Sequence, residues 1–430
     1  MTDNGNEQRP VRKLTVDNFS VIKHAELEFG KITVLIGPQA SGKSLLCKLA
    51  HFLGREAPDL GIERVAGRYL YEEFVDSVEK EFSKWFPPMG WGSGNWSISF
   101  TTNDYSIAVS PSLASDSLPK ASMTFGDAFK EAYVDRLIKT AGEQEKIGFV
   151  PPLEALRSLA ALSLRRLQGR GVWDAATYIP LERSFFVDTQ KGYRALGTDP
   201  DPISARFAVV FANSLSPGFP KPRMPRFLNG DLIQGPDGPS VAFEDGRILP
   251  LNFLSSGSKE TLPILSVLDF YEYQRRHSGG GLATEELYGE RLYFFDDFTI
   301  EEPEASVFPS TQYDLVREFA ALANEVGFKP HFAITTHSPY TLSSFNNLIY
   351  AGQLASQKPE LKDEIARMVP ERFWIENGSF RAYCIHDGEL KSILSESGLI
   401  DGEYLDSVSD TIGNQFDSLL RLEYDHTEAS

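Results

Sequence analysis

The feature that most constrains this chain is Gly37-Pro-Gln-Ala-Ser-Gly-Lys43-Ser44, a complete G-x-x-x-x-G-K-[ST] motif. The residues before it, Lys31-Ile-Thr-Val-Leu-Ile36, form a nearly continuous apolar run. That is the pattern of a strand buried in a parallel sheet. Leu45–Leu53 after it has helical spacing. Strand, glycine-rich turn and helix make a phosphate-binding unit. Backbone N–H groups wrap the phosphates, and the helix N-terminus adds positive potential. Lys43 is expected to reach the β- and γ-phosphates, and the Ser44 hydroxyl to bind Mg2+. The expected ligand is a nucleoside triphosphate, held by Gly37, Pro38, Gln39, Ala40, Ser41, Gly42, Lys43, Ser44 and Leu45.

The rest of the pattern predicts an α/β fold. Leu14, Val16 and Phe19, then Ala25, Leu27 and Phe29, alternate like antiparallel strands. Segments 64–86, 126–140 and 152–168 have helical spacing, and Trp96–Val109 reads as a hairpin turning near Asn103-Asp104. Residues 215–250, rich in Pro and Gly, read as a long loop with a hairpin. A helix is expected over Lys259–Arg276, a strand at Leu292–Phe295, an amphipathic helix over Gln312–Val326 and a strand at His331–Thr335. Strands alternating with helices predict a mostly parallel central sheet. The expected division is an N-terminal lobe (1–54) with antiparallel β structure and the P-loop, a mainly helical insertion with a β-hairpin (55–175), a core (176–353) and an acidic C-terminal segment (354–430).

Charge narrows the partners. The 430 residues carry 60 acidic and 42 basic side chains, a net charge of −18. Such a surface repels bulk nucleic acid. Arg157, Arg165, Arg166 and Arg170 share roughly one helix face and its end, which leaves room for a weak local contact. Asp401–Ser430 holds eight acidic residues against Arg421 alone, either a solvated tail or a docking surface for a basic partner. No apolar run reaches the roughly 18–20 residues of a membrane span. The first residues lack the apolar core of a secretory signal. With only Cys47 and Cys384, a reducing, cytoplasmic setting is expected.

Three further segments carry chemistry. Leu254-Ser-Ser-Gly-Ser-Lys-Glu260 puts Ser255, Ser256, Gly257 and Ser258 at the start of a helix, where small residues can approach a phosphate. An ordinary Ser cap would read the same way. Ile300-Glu-Glu-Pro-Glu-Ala305 offers a carboxylate pair: Glu301 for the Mg2+ shell and Glu302 to polarise the attacking water. Asp296-Asp297, after Leu292-Tyr-Phe-Phe295, is a competing acidic pair. Ile334-Thr-Thr-His337-Ser-Pro-Tyr340 places a histidine after a buried strand, suited to bonding a γ-phosphate or water.

In this order, P-loop, L-S-S-G segment, acidic pair and histidine resemble the ABC-class ATPases of the Rad50/SMC/RecF/OLD group. The match extends over Leu14–Leu53 and Tyr178–Gly352. The short bacterial AAA15/AAA21-type ATPases of Septu- and retron-associated anti-phage systems are similar, including their Y-I-P-x-E-R segment, here Tyr178-Ile-Pro-Leu-Glu-Arg183. The resemblance implies an ABC-type head that binds ATP and Mg2+ and hydrolyses ATP with Glu302 and His337. It implies a homodimer through two ATP sites, possibly assembled further, in which Ser255–Ser258 face the partner's ATP. It also implies a switch acting on a separate nuclease or toxin. A DNA repair or recombination ATPase is the alternative, and a nucleotide-bound scaffold a third. Arg183 is a candidate either for a phosphate or dimer-partner contact or for a structural salt bridge. Departures are Gln39-Ala40 where Asn-Gly is common, Ser306 and Phe308 where histidines often lie, and no heptad coiled coil in the insertion.

Overall fold

The computed structural model describes residues 12–92, 94–112, 119–147, 153–165, 167, 171–189, 201–235, 238–277, 293–325, 330–401 and 415. Of the segments read from sequence, Arg166, Arg170, Leu292, Val326 and all of the acidic stretch after Asp401 except residue 415 lie outside the described residues.

Strands follow in chain order as β1 (Arg12–Phe19), β2 (Ile22–Phe29), β3 (Ile32–Ile36), β4 (Ser97–Thr101), β5 (Ser106–Ser112), β6 (Lys120–Phe125), β7 (Gly171–Ile179), β8 (Gly230–Gly235), β9 (Gly238–Phe243), β10 (Ile248–Pro250), β11 (Tyr293–Glu301), β12 (His331–Thr336), β13 (Phe380–His386) and β14 (Glu389–Ser392). Eleven of them form one sheet, in the order β6-β5-β4-β1-β2-β14-β13-β3-β12-β11-β7. From β13 to β7 the pairings are parallel, and from β6 to β2 they are antiparallel. The fold is mixed α/β, with a parallel half carrying the P-loop strand and an antiparallel N-terminal half.

Burial explains the division. β3 is covered on both faces: Ile32 and Val34 enter one core cluster, Leu35 the other. That is why its sequence is continuously apolar. β1 and β2 alternate, with Leu14, Val16, Ala25 and Leu27 buried and their neighbours wetter. Strands β4, β5 and β6 continue the same alternation. Ile98, Phe100, Ile107, Val109, Ala121, Met123 and Phe125 are buried, and β4 pairs with β1. The hairpin read within the helical insertion is therefore an extension of the N-terminal sheet. Its third strand, β6, carries the two-residue period of Lys120-Ala-Ser-Met-Thr-Phe125.

Helix Lys43–His51 runs on through a wider turn, Phe52–Glu56, into helix Ala57–Ala66, and helix Tyr71–Trp85 follows. Aromatic rings from this region pack on the antiparallel half: Phe82 and Phe86 meet Phe19, and Phe52 in turn meets Phe82, Trp85 and Phe86. Residues 215–250 hold the short helix Met224–Leu228 and a separate three-stranded sheet, β10-β9-β8. Phe380-Arg-Ala-Tyr-Cys-Ile-His386, grouped by sequence with the acidic C-terminal segment, enters the central sheet as β13, beside the P-loop strand. Among the described residues, no helix is long and apolar enough to cross a membrane.

Candidate active site

Four parallel strands end side by side. β3 runs into the P-loop, β12 into His337, β11 into Glu301 and Glu302, and β7 into Pro180–Arg183. The register aligns Ile36 with Thr336, Glu301 with Thr335, and Ile300 with Ile179. Loops at the carboxyl ends of parallel strands are where α/β sheets bind ligands.

The P-loop backbone needs its glycines. A Cβ on Gly37 would lie 2.3 Å from the Ile385 carbonyl oxygen, and Gly42 has φ 106° with Ile22 where its Cβ would go. Pro38, Gln39 and Ala40 are exposed, while Gly37, Ser41, Gly42, Ser44 and Leu45 are half-buried. Lys43 is buried and folds back on its own loop: Nζ donates to the carbonyls of Gly37 and Pro38, each at 2.9 Å. Burial pushes the Lys43 ammonium below its ordinary value, partly opposed by Glu302 and Glu304. Ser41 Oγ is buried without a hydrogen-bond partner.

The acidic segment divides by environment. Glu301 is 5 % exposed. Its Oε1 accepts from Tyr178 Oη at 2.7 Å and its Oε2 from the Leu181 amide at 3.1 Å. Burial, with Glu301 alongside, pushes the Tyr178 phenol well above its usual range, which keeps it a donor. Glu302 sits at φ 41°, a left-handed conformation that costs a side-chain-bearing residue on the order of 1–3 kcal/mol. Its amide donates to the Thr335 carbonyl at 2.9 Å. Its Oε1 lies 3.2 Å from His337 Nε2. Glu304 Oε1 accepts from Thr336 Oγ1 at 2.7 Å and from the His337 amide at 2.6 Å, while Oε2 is buried without a partner. Burial pushes the Glu304 carboxyl up.

Asp296 and Asp297 lie in mid-strand. Asp296 is paired with Arg275 at 2.6 and 2.8 Å, and Asp297 with Arg12 at 2.7 Å. Asp297 stands opposite His331, at the start of β12, whereas Glu301 stands opposite Thr335, near its end. At about 3.3 Å per residue, four to five residues separate the two acidic pairs by roughly 15 Å.

The L-S-S-G segment begins helix Ser256–His277. Ser255 Oγ accepts from the Ser258 amide at 3.3 Å and lies 2.8 Å from Ser258 Oγ, a local cap. Ser255 and Ser256 are exposed. A Cβ on Gly257 would lie 3.0 Å from the Ser306 carbonyl oxygen, so this turn packs closely on the loop after the acidic pair. One turn on, Glu260 meets Arg183. Arg183 is fully buried and donates to the carbonyls of Pro180, Glu260, Glu301 and Glu302. Of the roles the sequence allows it, the structural tie is the one occupied.

Residues 214–342 match the AAA_15 family model, described as an AAA ATPase domain. The matched stretch holds Ser255–Ser258, both acidic pairs and His337, and supports ATP use and ATPase activity. No curated protein matches the sequence. The SMC head domain from Thermotoga maritima aligns at TM-score 0.35 and 10 % identity, over 90 % of this chain and 99 % of that one. A structure of the recombination mediator protein RecF-ATPrS aligns at TM-score 0.33 and 10 % identity, with the same coverage. At TM-scores this low, the fold class rests on the strand order described above.

The donor set fits a nucleotide with a hard cation. Among the described residues, no cluster of three or more His, Cys, Asp or Glu side chains is arranged to hold a metal unaided. Mg2+ does not require one, because it keeps waters and takes phosphate oxygens beside one or two protein oxygens. The Ser44 hydroxyl and the Glu301 carboxylate offer oxygens of this kind. The unpartnered Ser41 Oγ and Glu304 Oε2 leave polar capacity in these two loops. Tyr178 and Glu304 carry no site role in the sequence reading, and Arg183 carries alternatives of which the structure shows the structural tie. The repeated acid of Ile300-Glu-Glu-Pro-Glu304 and the Tyr178–Arg183 segment were the only signals for them.

Proposed function

We propose that this chain is an ABC-type ATPase whose site is built from Gly37–Leu45, Glu301, Glu302 and His337. The observation that carries the reading is the pairing of Glu302 with His337 at the strand ends beside the P-loop. Ser44 and the Glu301 shell would hold Mg2+, which would supply neutralisation of phosphate charge. Lys43 exchanges its two loop carbonyls for the phosphates. Both Glu301 oxygens already accept a hydrogen bond, so its remaining lone pairs suit a water-mediated hold on the cation. Glu302 accepts the proton of the attacking water, and His337 Nε2 bonds the γ-phosphate. The structural ion pairs of Asp296 and Asp297 favour Glu301-Glu302 as the working pair.

In this reading two heads enclose two nucleotides, with Ser255–Ser258 of each facing the ATP of the other. Exposed Ser255 and Ser256 support it, as do three large exposed side chains next to the site segments: Phe253, Phe308 and Tyr340. The heads then form an ATP-dependent switch that controls a separate effector in anti-phage defence, an assignment resting on the motif resemblance. The test is steady-state ATP turnover together with sizing in the presence and absence of ATP. Absence of turnover in the wild-type chain refutes the enzyme, and a monomer at saturating ATP refutes the sandwich.

A further inference from the structure

Arg183 is a charged side chain with no exposure at all. Burying a guanidinium is costly unless every part of it is paired, and a well-packed apolar residue would often serve stability as well. What the charge secures here is a four-way junction. Nε donates to the Glu260 carbonyl at 2.9 Å and lies 3.2 Å from Glu260 Oε2. Nη1 donates to the Pro180 carbonyl at 3.2 Å and the Glu301 carbonyl at 2.6 Å, and Nη2 to the Glu302 carbonyl at 2.8 Å. One planar group thus ties the first turns of the L-S-S-G helix to the peptide groups of both acids. The tie also bears on a strained point. The left-handed backbone of Glu302 is held at both ends: its amide donates to the Thr335 carbonyl, and its carbonyl accepts from Arg183 Nη2 at 2.8 Å and from the Ala305 amide at 3.0 Å.

We propose that Arg183 is a positioning residue for ATP hydrolysis: it holds the Glu302 carboxylate in place against His337 and makes that placement depend on the seat of the helix that begins at Ser256. The proposal rests on the ATPase reading above. A shift of the helix start, one turn from Glu260, pulls on the guanidinium and through it on the Glu302 carbonyl. Arg183 touches no reacting atom in this scheme. Lysine keeps the charge but not the fork, and cannot reach Glu260 and both acid carbonyls together.

The test uses the full chain with Arg183→Lys and Glu260→Gln, beside wild type and Glu302→Gln. Nucleotide affinity, steady-state kcat and KM, single-turnover rate and thermal melting are measured. For Arg183→Lys we expect ATP affinity and KM within about twofold of wild type. Because small misplacements of a reacting group are costly, kcat should fall roughly 10–100-fold. In the Glu302→Gln background, Arg183→Lys should slow single turnover no further, since the carboxylate it positions is gone. Wild-type kcat in Arg183→Lys, or equal losses in both backgrounds, overturns the proposal. If Arg183→Lys does not melt cooperatively, Glu260→Gln decides: it keeps the backbone carbonyl bonds and removes only the charge contact. A kcat drop at unchanged KM supports the coupling, and unchanged kcat refutes it. If wild type hydrolyses no ATP, the ATPase reading itself has failed. If wild type turns over and Glu302→Gln does not, a silent Arg183→Lys condemns the positioning role alone.

Discussion

His337 Nε2 lies 3.2 Å from Glu302 Oε1, reaching across from β12 to the end of the neighbouring parallel strand β11. The contact is short because Glu302 turns out of the strand at φ 41° and because Glu304 receives the His337 amide. Two loops from different parts of the chain hold one another in register, next to the lysine of the P-loop.

From this relationship we expect Glu302→Gln to bind ATP as wild type does and to hydrolyse it about 10²–10⁴-fold more slowly, the usual loss for a general base. Gln keeps the volume and the contact with His337 but not the charge. Such a variant should accumulate the ATP-bound dimer. The control is Asp297→Asn. Removing the charge that pairs with Arg12 should cost on the order of 1–3 kcal/mol of stability while leaving turnover near normal. Turnover and dimer fraction measured side by side check both. Arrest in Asp297→Asn with normal Glu302→Gln would reverse the assignment.

Lys43→Ala removes the ammonium that spans the Gly37 and Pro38 carbonyls. The charge-assisted phosphate contact it would make is worth roughly 1.5–3 kcal/mol, so ATP affinity should fall by at least about tenfold. Fluorescent-nucleotide titration reads this directly, and wild-type affinity would discard the P-loop as the binding site.

Ser256→Arg should leave ATP binding to the same chain intact and abolish ATP-driven association. Ser256 is exposed at the helix start, so the larger side chain folds without strain. It would occupy the space a partner's phosphate needs. Light scattering with ATP is the measurement, and normal dimerisation of the variant would exclude the shared site.

A pH effect is expected far from the nucleotide. Asp269, Glu272 and Glu318 surround Arg223, joining helix Ser256–His277 to helix Pro309–Ala323. Burial raises the Asp269 carboxyl from 3.8 to about 6, and Arg223 opposes the shift without cancelling it. The folded state therefore holds this proton more tightly than the unfolded state. The stabilisation is present below about pH 4 and is lost as pH rises from there through 6. Asp269→Asn should flatten that limb of the stability profile, by order of 1–3 kcal/mol across it. Denaturant midpoints from pH 4 to 7 show this, and an unchanged slope would remove Asp269 as the cause.

The sequence by itself determined the parts whose physics is local. A glycine pattern between an apolar run and a helical run gives the expectation of a phosphate loop, and the structure shows its strand, its turn with Gly42 at φ 106° and its helix. Alternating patterns marked β1, β2, β4 and β5, buried apolar runs marked β3 and β12, and helical periods marked the helices around Lys43, Lys259 and Gln312. What the tertiary structure decided is everything that depends on which distant segments share a sheet. Apolar residues precede both Asp296-Asp297 and Glu301-Glu302, and the preference for the second pair came from the motif resemblance and not from the pattern. In the structure Asp296 and Asp297 lie mid-strand in ion pairs with Arg275 and Arg12, whereas Glu301 ends the strand and Glu302 meets His337. Sequence could not place Phe380–His386 beside the P-loop strand, because an alternating strand of this kind carries no address for its neighbour. Nor could it show that Arg183 is buried between two carboxylate-bearing loops and a helix start. A charged residue reads as exposed until its partners, up to 119 positions away, are folded around it.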